Sequence, residues 1–105
     1  MKAITPGHEY ELANFEQNIT ELNQHLWFIL KEPTGEPDGK LKTVHDGTTN
    51  EEVLRILIDR IQFLQAKFPC RENSIVITNL EESLRLLERR TADRKTRNVE
   101  GKAKA

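Results

Sequence analysis

Five arginines near the end of the chain carry the clearest chemical signal. Three of them, Arg90, Arg94 and Arg97, recur at the spacing of four and three that places side chains on one face of a helix. A guanidinium presents a planar fork of donors that matches two phosphate oxygens. Together with Arg85 and Arg89 they predict a site for a phosphate-bearing ligand. Two plainer interpretations stay open: a solvated charged helix end, or cations that stabilise a helix dipole.

Phe63 and Asn73 are the candidates for recognising a flat base. Phe63 stands at the edge of an apolar helical stripe, where its ring can stack on a base or simply pack against a second helix. Asn73 falls in the first turn of a predicted helix. Its amide can read an adenine edge through two hydrogen bonds or act as a local cap.

The residue types that perform catalysis are present but scattered. His8, His25 and His45 stand far apart, and none pairs with another at helical metal-ligand spacing. Cys70 has no assignable His partner, and we expect a buried thiol between two helices. A glycine-rich phosphate loop and a Gly-x-Ser-x-Gly elbow are absent from the sequence. The sequence therefore predicts a binding protein that is not an enzyme, without catalytic residues, metal or cofactor.

Two helices position the candidate residues. Thr49 followed by Glu52 fits a capping box, and the spacing predicts a first helix over 50–67. Its expected apolar stripe consists of Val53, Leu57, Ile61, Leu64 and Phe68, widened by Leu54, Ile58 and Phe63. Pro69 ends this helix and suits the first turn of the next.

The second helix is predicted over 70–97, antiparallel to the first because the connection is short. Ile77, Leu80, Leu84 and Leu87 form a narrow seam. This helix should overhang the first by about ten residues from Glu88 onward. We expect a partner chain to cover the apolar stripe that two helices leave open.

The N-terminal half has weaker signals. Residues 1–8 predict a loose start, and the mixed pattern over 10–18 is compatible with a short strand. The apolar run 26–30 predicts a strand covered on both faces, although one turn of buried helix is also compatible. Residues 32–39 predict a turn, and 40–45 a strand that pairs back across it. We predict an α+β fold within one compact domain: an antiparallel β element (1–46), a helical hairpin (47–98) and a tail (99–105).

Charge is distributed unevenly along the 105 residues. The net charge of −1 hides an acidic first half and a basic second half, so the basic helix end can attract an anion. One cysteine, no long apolar run and no secretory signal predict a cytoplasmic protein without a membrane partner.

Several segments resemble the helical hairpin of bacteriophage anti-defence sponges. The resemblance covers roughly residues 46–101 and is closest to the first Thoeris anti-defence sponge family, with a similar hairpin in the anti-CBASS sponge family. The segments that carry it are Thr48-Thr49-Asn50-Glu51-Glu52-Val53-Leu54, Phe68-Pro69-Cys70-Arg71-Glu72-Asn73, Leu80-Glu81-Glu82-Ser83-Leu84, Glu88-Arg89-Arg90-Thr91-Ala92-Asp93-Arg94 and Asn98-Val99-Glu100-Gly101.

The resemblance implies a trap that holds a host cyclic nucleotide messenger without degrading it. For the Thoeris relatives the messenger is a glycocyclic ADP-ribose isomer, and some members also hold cyclic di- or trinucleotides. The implied assembly is a homodimer or a hexamer made of three dimers, acting in the cytoplasm of the infected bacterial host. A nucleic-acid partner is not expected, because the pI near 6.3 and the acidic first half disfavour it.

Carried over by motif, the base-contacting aromatic resembles Phe63, the adenine-contacting amide Asn73 and the phosphate-binding arginine Arg90. Arg71 and Arg94 join them as candidate ligand residues. The family's N-terminal phosphate arginine has no counterpart, since no arginine precedes Arg55.

The spacing of the candidates sets a geometric condition. Arg90 lies seventeen residues after Asn73, which is about 25 Å along an ideal helix. If both contact one small ligand, that ligand must lie between subunits. Two other functions stay open: a structural helical-hairpin adaptor and a nucleic-acid-binding accessory protein.

Overall fold

A computed structural model describes residues 1–16 and 23–97 and shows an α+β chain, with antiparallel strands followed by two helices. The strands lie in a first unit, Met1–Thr49, and the helices in a second unit that begins at Asn50. The strands are β1 (Lys2–Thr5), β2 (Glu9–Leu12), β3 (Gln24–Trp27), β4 (Leu30–Pro33) and β5 (Leu41–His45). The helices are α1 (Asn50–Lys67) and α2 (Arg71–Thr96). The predicted tail and the segment Asn98-Val99-Glu100-Gly101 lie outside the described residues.

The first sheet is a three-stranded antiparallel meander, β1-β2-β3. Its first turn closes through the His8 amide, which donates to the Thr5 carbonyl at 2.9 Å, and Gly7 supplies a φ of 76°. The expected loose start is wrong, because Lys2 and Ala3 pair with Glu11 and Tyr10. Strand pairing of this kind depends on a partner elsewhere in the chain, so local composition did not show it.

The second sheet is the hairpin β4-β5. The Thr34 amide donates to the Lys40 carbonyl at 3.0 Å, and Gly35 and Gly39 adopt φ values of 86° and 75°. The predicted return strand is therefore confirmed, with its turn at residues 34–40 rather than 32–39. The unit holds five strands among the described residues, more than the two or three expected.

The apolar run 26–30 is divided between the two sheets. Trp27 ends β3, Phe28 forms an isolated parallel bridge with Thr48, and Leu30 begins β4. Backbone bonds hold this crossing: the Thr48 amide donates to the Trp27 carbonyl at 2.8 Å, and the Ile29 amide to the Thr48 carbonyl at 2.9 Å. Trp27 is half-buried and stacks on His45 with centroids 3.9 Å apart, so the strand covered on both faces that we expected is not formed.

The helices pack antiparallel as a hairpin. Near their connection, the Gln65 side chain contacts Cys70 and Ser74, and farther along, Arg55 of α1 lies 3.6 Å from Glu88 of α2. Glu88 therefore faces α1 and does not belong to the expected overhang. The 26 residues of α2 exceed the 18 of α1. Pro69 precedes Cys70, the N-cap residue of α2, so it does not lie in the first turn of that helix as we predicted.

The seam of α2 extends farther than the leucines predicted. Half-buried positions alternate in spacing of four and three along its length: Asn73, Ile77, Leu80, Leu84, Leu87, Thr91 and Arg94. Because α2 packs on α1, this heptad-like row is the face that α2 presents to α1. Polar side chains thus occupy both ends of an otherwise aliphatic seam.

Burial is incomplete everywhere in the described ranges. None of these residues is fully buried, and large apolar side chains stay exposed on both helices: Ile56, Leu57, Phe63, Phe68, Ile75, Val76 and Leu86. Leu57 and Phe68, expected in the stripe of α1, are among them. Neither α1 nor α2 has a stretch apolar enough to cross a membrane.

Candidate functional site

The outer face of α1 carries a shallow groove. Its volume is about 480 Å³, and its lining residues recur at helical spacing of three and four: Glu52, Arg55, Ile56, Asp59, Arg60 and Phe63. Val53, Leu54, Ile58, Ile61 and Leu64 are half-buried on the opposite side of the helix, where α2 packs. The groove is therefore on the solvent side of the hairpin.

Phe63 is the aromatic residue of this groove. Its side chain is 54% exposed, and Lys67 places its Nζ 4.9 Å from the ring centroid. This cation–π contact holds Lys67 against one face of the ring. Of the two interpretations left open for Phe63, the structure contradicts packing against the second helix, because one hundred degrees of rotation per residue carries the side chain away from the Ile61–Leu64 face.

The electrostatics of the groove are mixed. Arg55 is paired with Glu52 at 3.4 Å and with Glu88 at 3.6 Å, so its charge is balanced within the hairpin. On α2, the hydrogen bond and negative charge of Glu82 raise the pKa of the Arg85 guanidinium, although this pair is on the open surface. Asp59 and Arg60 are exposed side by side in the groove.

Asn73 lies at the start of α2, on the seam side. Its backbone amide donates to the Cys70 sulfur at 3.4 Å, so Cys70 is the N-cap residue. The thiol is exposed, which corrects the expected burial. Asn73 itself is half-buried and lies on the α2 face that meets α1.

The remaining candidates divide between the two ends of α2. Arg71 is exposed in the first turn, at the same end of the hairpin as Phe63 and Asn73. Near the far end, Arg90 is exposed and Arg94 is half-buried, about 25 Å and about 32 Å from Asn73 along the helix. One chain therefore brings Phe63, Arg71 and Asn73 to one end, while Phe63 and Asn73 are on different faces.

Two side chains beside Phe63 were missed by the sequence reasoning. Arg60 precedes it by three residues and Lys67 follows it by four, so both share its face of α1. The helical spacing of these two cations around Phe63 is the sequence signal that indicates them. Within the described part of the chain, no group of three or more His, Cys, Asp or Glu is placed to hold a metal ion.

Comparison with known proteins agrees with the hairpin. The chain is 43% identical over 75 residues to Thoeris anti-defense 1 of Bacillus phage SBSphiJ7. The aligned region covers 60% of this chain and 53% of the phage protein, so the chain spans about half the length of that relative. Residues 33–92 match the family described as Acb2/Tad1, hairpin domain, which is more than half of the chain. These matched residues contain β5, α1 and most of α2, and the chain therefore belongs to the Acb2/Tad1 hairpin domain family.

Proposed function

We propose that this protein is a phage anti-defence sponge, which binds host cyclic nucleotide immune signals and sequesters them without degrading them. The proposed ligands are glycocyclic ADP-ribose isomers, with cyclic di- and trinucleotides as a further class. The site of action is the cytoplasm of the infected bacterium. The name of the phage relative, Thoeris anti-defense 1, supports the anti-defence part of the proposal.

One observation carries the binding part: the half-exposed Phe63 ring within the outer groove of α1. An aromatic side chain on the solvent face of a helix contributes little to packing, yet it offers a flat apolar surface. Stacking of a base on such a ring is worth about 1–3 kcal/mol. Cyclic nucleotides present this flat group together with phosphates.

The assembly that we propose has at least two chains. Phe63 and Asn73 are at one end of the hairpin and Arg90 at the other, so one straight helix cannot bring them around one compact ligand. A second chain can supply the missing end. The exposed apolar residues of both helices support association, because burying apolar surface is favourable by a free energy of about 25 cal/mol per Å².

Calorimetry and mass spectrometry test the proposal together. Purified protein is titrated with glycocyclic ADP-ribose isomers and with common cyclic di- and trinucleotides, and the complex is then heated to release the ligand. We expect one ligand per chain or per pair of chains, and an unchanged ligand mass. Absence of binding heat with every one of these compounds contradicts the proposal, and a hydrolysed product contradicts sequestration.

A gel shift with DNA and RNA at low salt separates the nucleic-acid alternative. We expect no retarded band at protein concentrations that saturate with a cyclic nucleotide. Retardation that weakens steeply with added salt would instead indicate phosphate-backbone binding.

A further inference from the structure

Two cations flank the Phe63 ring on the same face of α1. Lys67, one turn after Phe63, lies over the ring at 4.9 Å, and Arg60, one turn before it, lines the groove. The seven residues from Arg60 to Lys67 span about 10 Å of helix, a length that one nucleotide can bridge. An exposed ring between two cations is suited to a flat group that carries a phosphate.

These two cations are available to a ligand. Within residues 1–16 and 23–97, neither Arg60 nor Lys67 lies within ion-pair distance of a carboxylate, whereas Arg55 and Arg85 are each paired with a glutamate. Both side chains are exposed. Binding a phosphate therefore breaks no ion pair of the hairpin.

The groove is covered at one end and open at the other. Lys67 covers the ring from the C-terminal side, while the lining residues Ile56 and Asp59 precede Phe63 by seven and four residues. A base can thus enter from the N-terminal side, where the 59% exposed Ile56 adds apolar surface. Two acids and two arginines line this groove together, which disfavours a long polyanion and leaves room for one compact phosphate.

We infer that the outer face of α1 binds a nucleoside and its own phosphate as a unit, with the base stacked on Phe63 and the phosphate bound by Arg60 and Lys67. The inference rests on the proposed function and deepens it. It assigns phosphate contacts to α1 itself, so the Arg90 end is not the sole anion-binding element. Each chain then holds one nucleotide half of a larger cyclic ligand.

The test compares adenosine 5′-monophosphate with adenosine in NMR titrations of the full-length ¹⁵N-labelled protein. We expect the amide signals around Phe63 to shift with both ligands, and the monophosphate to bind about tenfold more tightly or better, as hydrogen bonds to charged groups predict. The double variant Arg60→Gln, Lys67→Gln should lose this preference and keep the weak adenosine binding. Gln retains helix propensity, so the fold should persist.

The double variant Lys31→Gln, Lys42→Gln is the matched control, because it removes two positive charges from exposed positions outside the helical hairpin. We expect it to keep the preference for the monophosphate. The inference is overturned if the wild-type protein binds both ligands equally, if the α1 variant keeps the preference, or if millimolar monophosphate leaves the Phe63 region unshifted.

Failure of the α1 phosphate site and failure of the sponge proposal give different experimental results. If cyclic nucleotides bind the wild-type protein and the α1 double variant with equal affinity, the α1 phosphate site is wrong and the sponge proposal stands. If no cyclic nucleotide binds but the monophosphate preference depends on Arg60 and Lys67, the site stands and the choice of messenger is wrong.

Discussion

At the scale of single residues, two exposed phenylalanines near the end of α1 differ in their surroundings. Phe63 and Phe68 both follow the helix-one pattern, and both are exposed, at 54% and 77%. Phe63 lines the groove and carries a cation over its ring, whereas Phe68 immediately follows α1 at the hairpin connection. The two residues therefore form a matched pair, which tests whether ligand binding needs an aromatic ring in the groove or any exposed aromatic ring on the hairpin.

We predict that Phe63→Ala weakens binding of a cyclic nucleotide by about tenfold or more, because one stacked base is lost. Its stability cost should stay below about 1 kcal/mol, since the ring is largely solvated. Phe68→Ala is the control and should leave affinity unchanged. Calorimetry and thermal melting measure the two effects, and equal loss of affinity in both variants would contradict the assignment.

Cys70 offers a second prediction at this scale. Its sulfur is a weak acceptor for the Asn73 amide, whereas a hydroxyl is a strong one. Cys70→Ser should therefore raise the free energy of unfolding by a few tenths to about 1 kcal/mol, and Cys70→Ala should lower it. Urea unfolding of the three proteins checks the order, and a Ser variant less stable than the Ala variant would refute the capping role.

At the scale of elements, the hairpin connection is fixed by one side chain. Gln65 Oε1 accepts from the Cys70 amide at 2.9 Å, and its Nε2 donates to the Cys70 carbonyl at 3.0 Å and to Ser74 Oγ at 2.7 Å. A single amide thus ties the end of α1 to the cap and first turn of α2. These bonds satisfy the backbone amide and carbonyl of Cys70 within the short connection.

We predict that Gln65→Ala lowers the free energy of unfolding by about 0.5–1.5 kcal/mol, since it removes the hydrogen bonds to the solvent-exposed Cys70 amide and carbonyl. Gln62→Ala removes the same group from an exposed position of α1 and should be close to neutral. Denaturant unfolding compares the two variants. Similar losses would mean that the amide network contributes little.

The elements also show how far local sequence signals reach. The bounds predicted for the first helix, 50–67, agree with α1, and the second helix differs by one residue at each end. Caps, Pro69 and helical periodicity are local, so they are legible in the sequence. Strand β1, which we did not predict, depends on pairing with β2, and the division of the 26–30 run depends on Thr48, twenty residues after Phe28. The periodicity of one segment carries no information about such pairing partners.

The candidate site was predictable to a smaller extent. The sequence indicated Phe63 and Asn73 as candidates, but it left open whether Phe63 packs against the second helix and did not show that Asn73 lies on the α2 face that meets α1. The packed and exposed faces of a helix can be assigned once its packing partner is known. Whether Phe63, Asn73, Arg71, Arg90 and Arg94 meet on one ligand stays a prediction, which the variants above address.

At the scale of the whole molecule, incomplete burial is the main feature. The described residues include no fully buried side chain, although many apolar ones are present. A short chain has little interior, and association commonly supplies the missing burial. On α2, Leu86 is 52% exposed and shares with Val76 and Arg90 a row outside the seam that faces α1.

If this row lies in the contact between chains, an ammonium at position 86 would have to leave water without a partner, which is costly. We therefore predict that Leu86→Lys shifts the protein from an oligomer to a monomer. Leu86→Met keeps the apolar volume and should preserve the assembly. Light scattering coupled to size-exclusion chromatography reads the mass. A wild-type monomer, or an unchanged oligomer in the Lys variant, would contradict this interface.

Apart from Arg55, which pairs with Glu88 of α2, the lining of the groove lies on the side of α1 that faces away from α2, and this separation has an evolutionary consequence. Substitutions among the other lining residues can alter recognition while the hairpin keeps its fold, because they disturb neither the seam nor the connection. A lineage can therefore explore new specificities by drift at these positions, without compensating changes elsewhere. Diversity among natural variants should concentrate on this surface and spare the row that begins at Asn73.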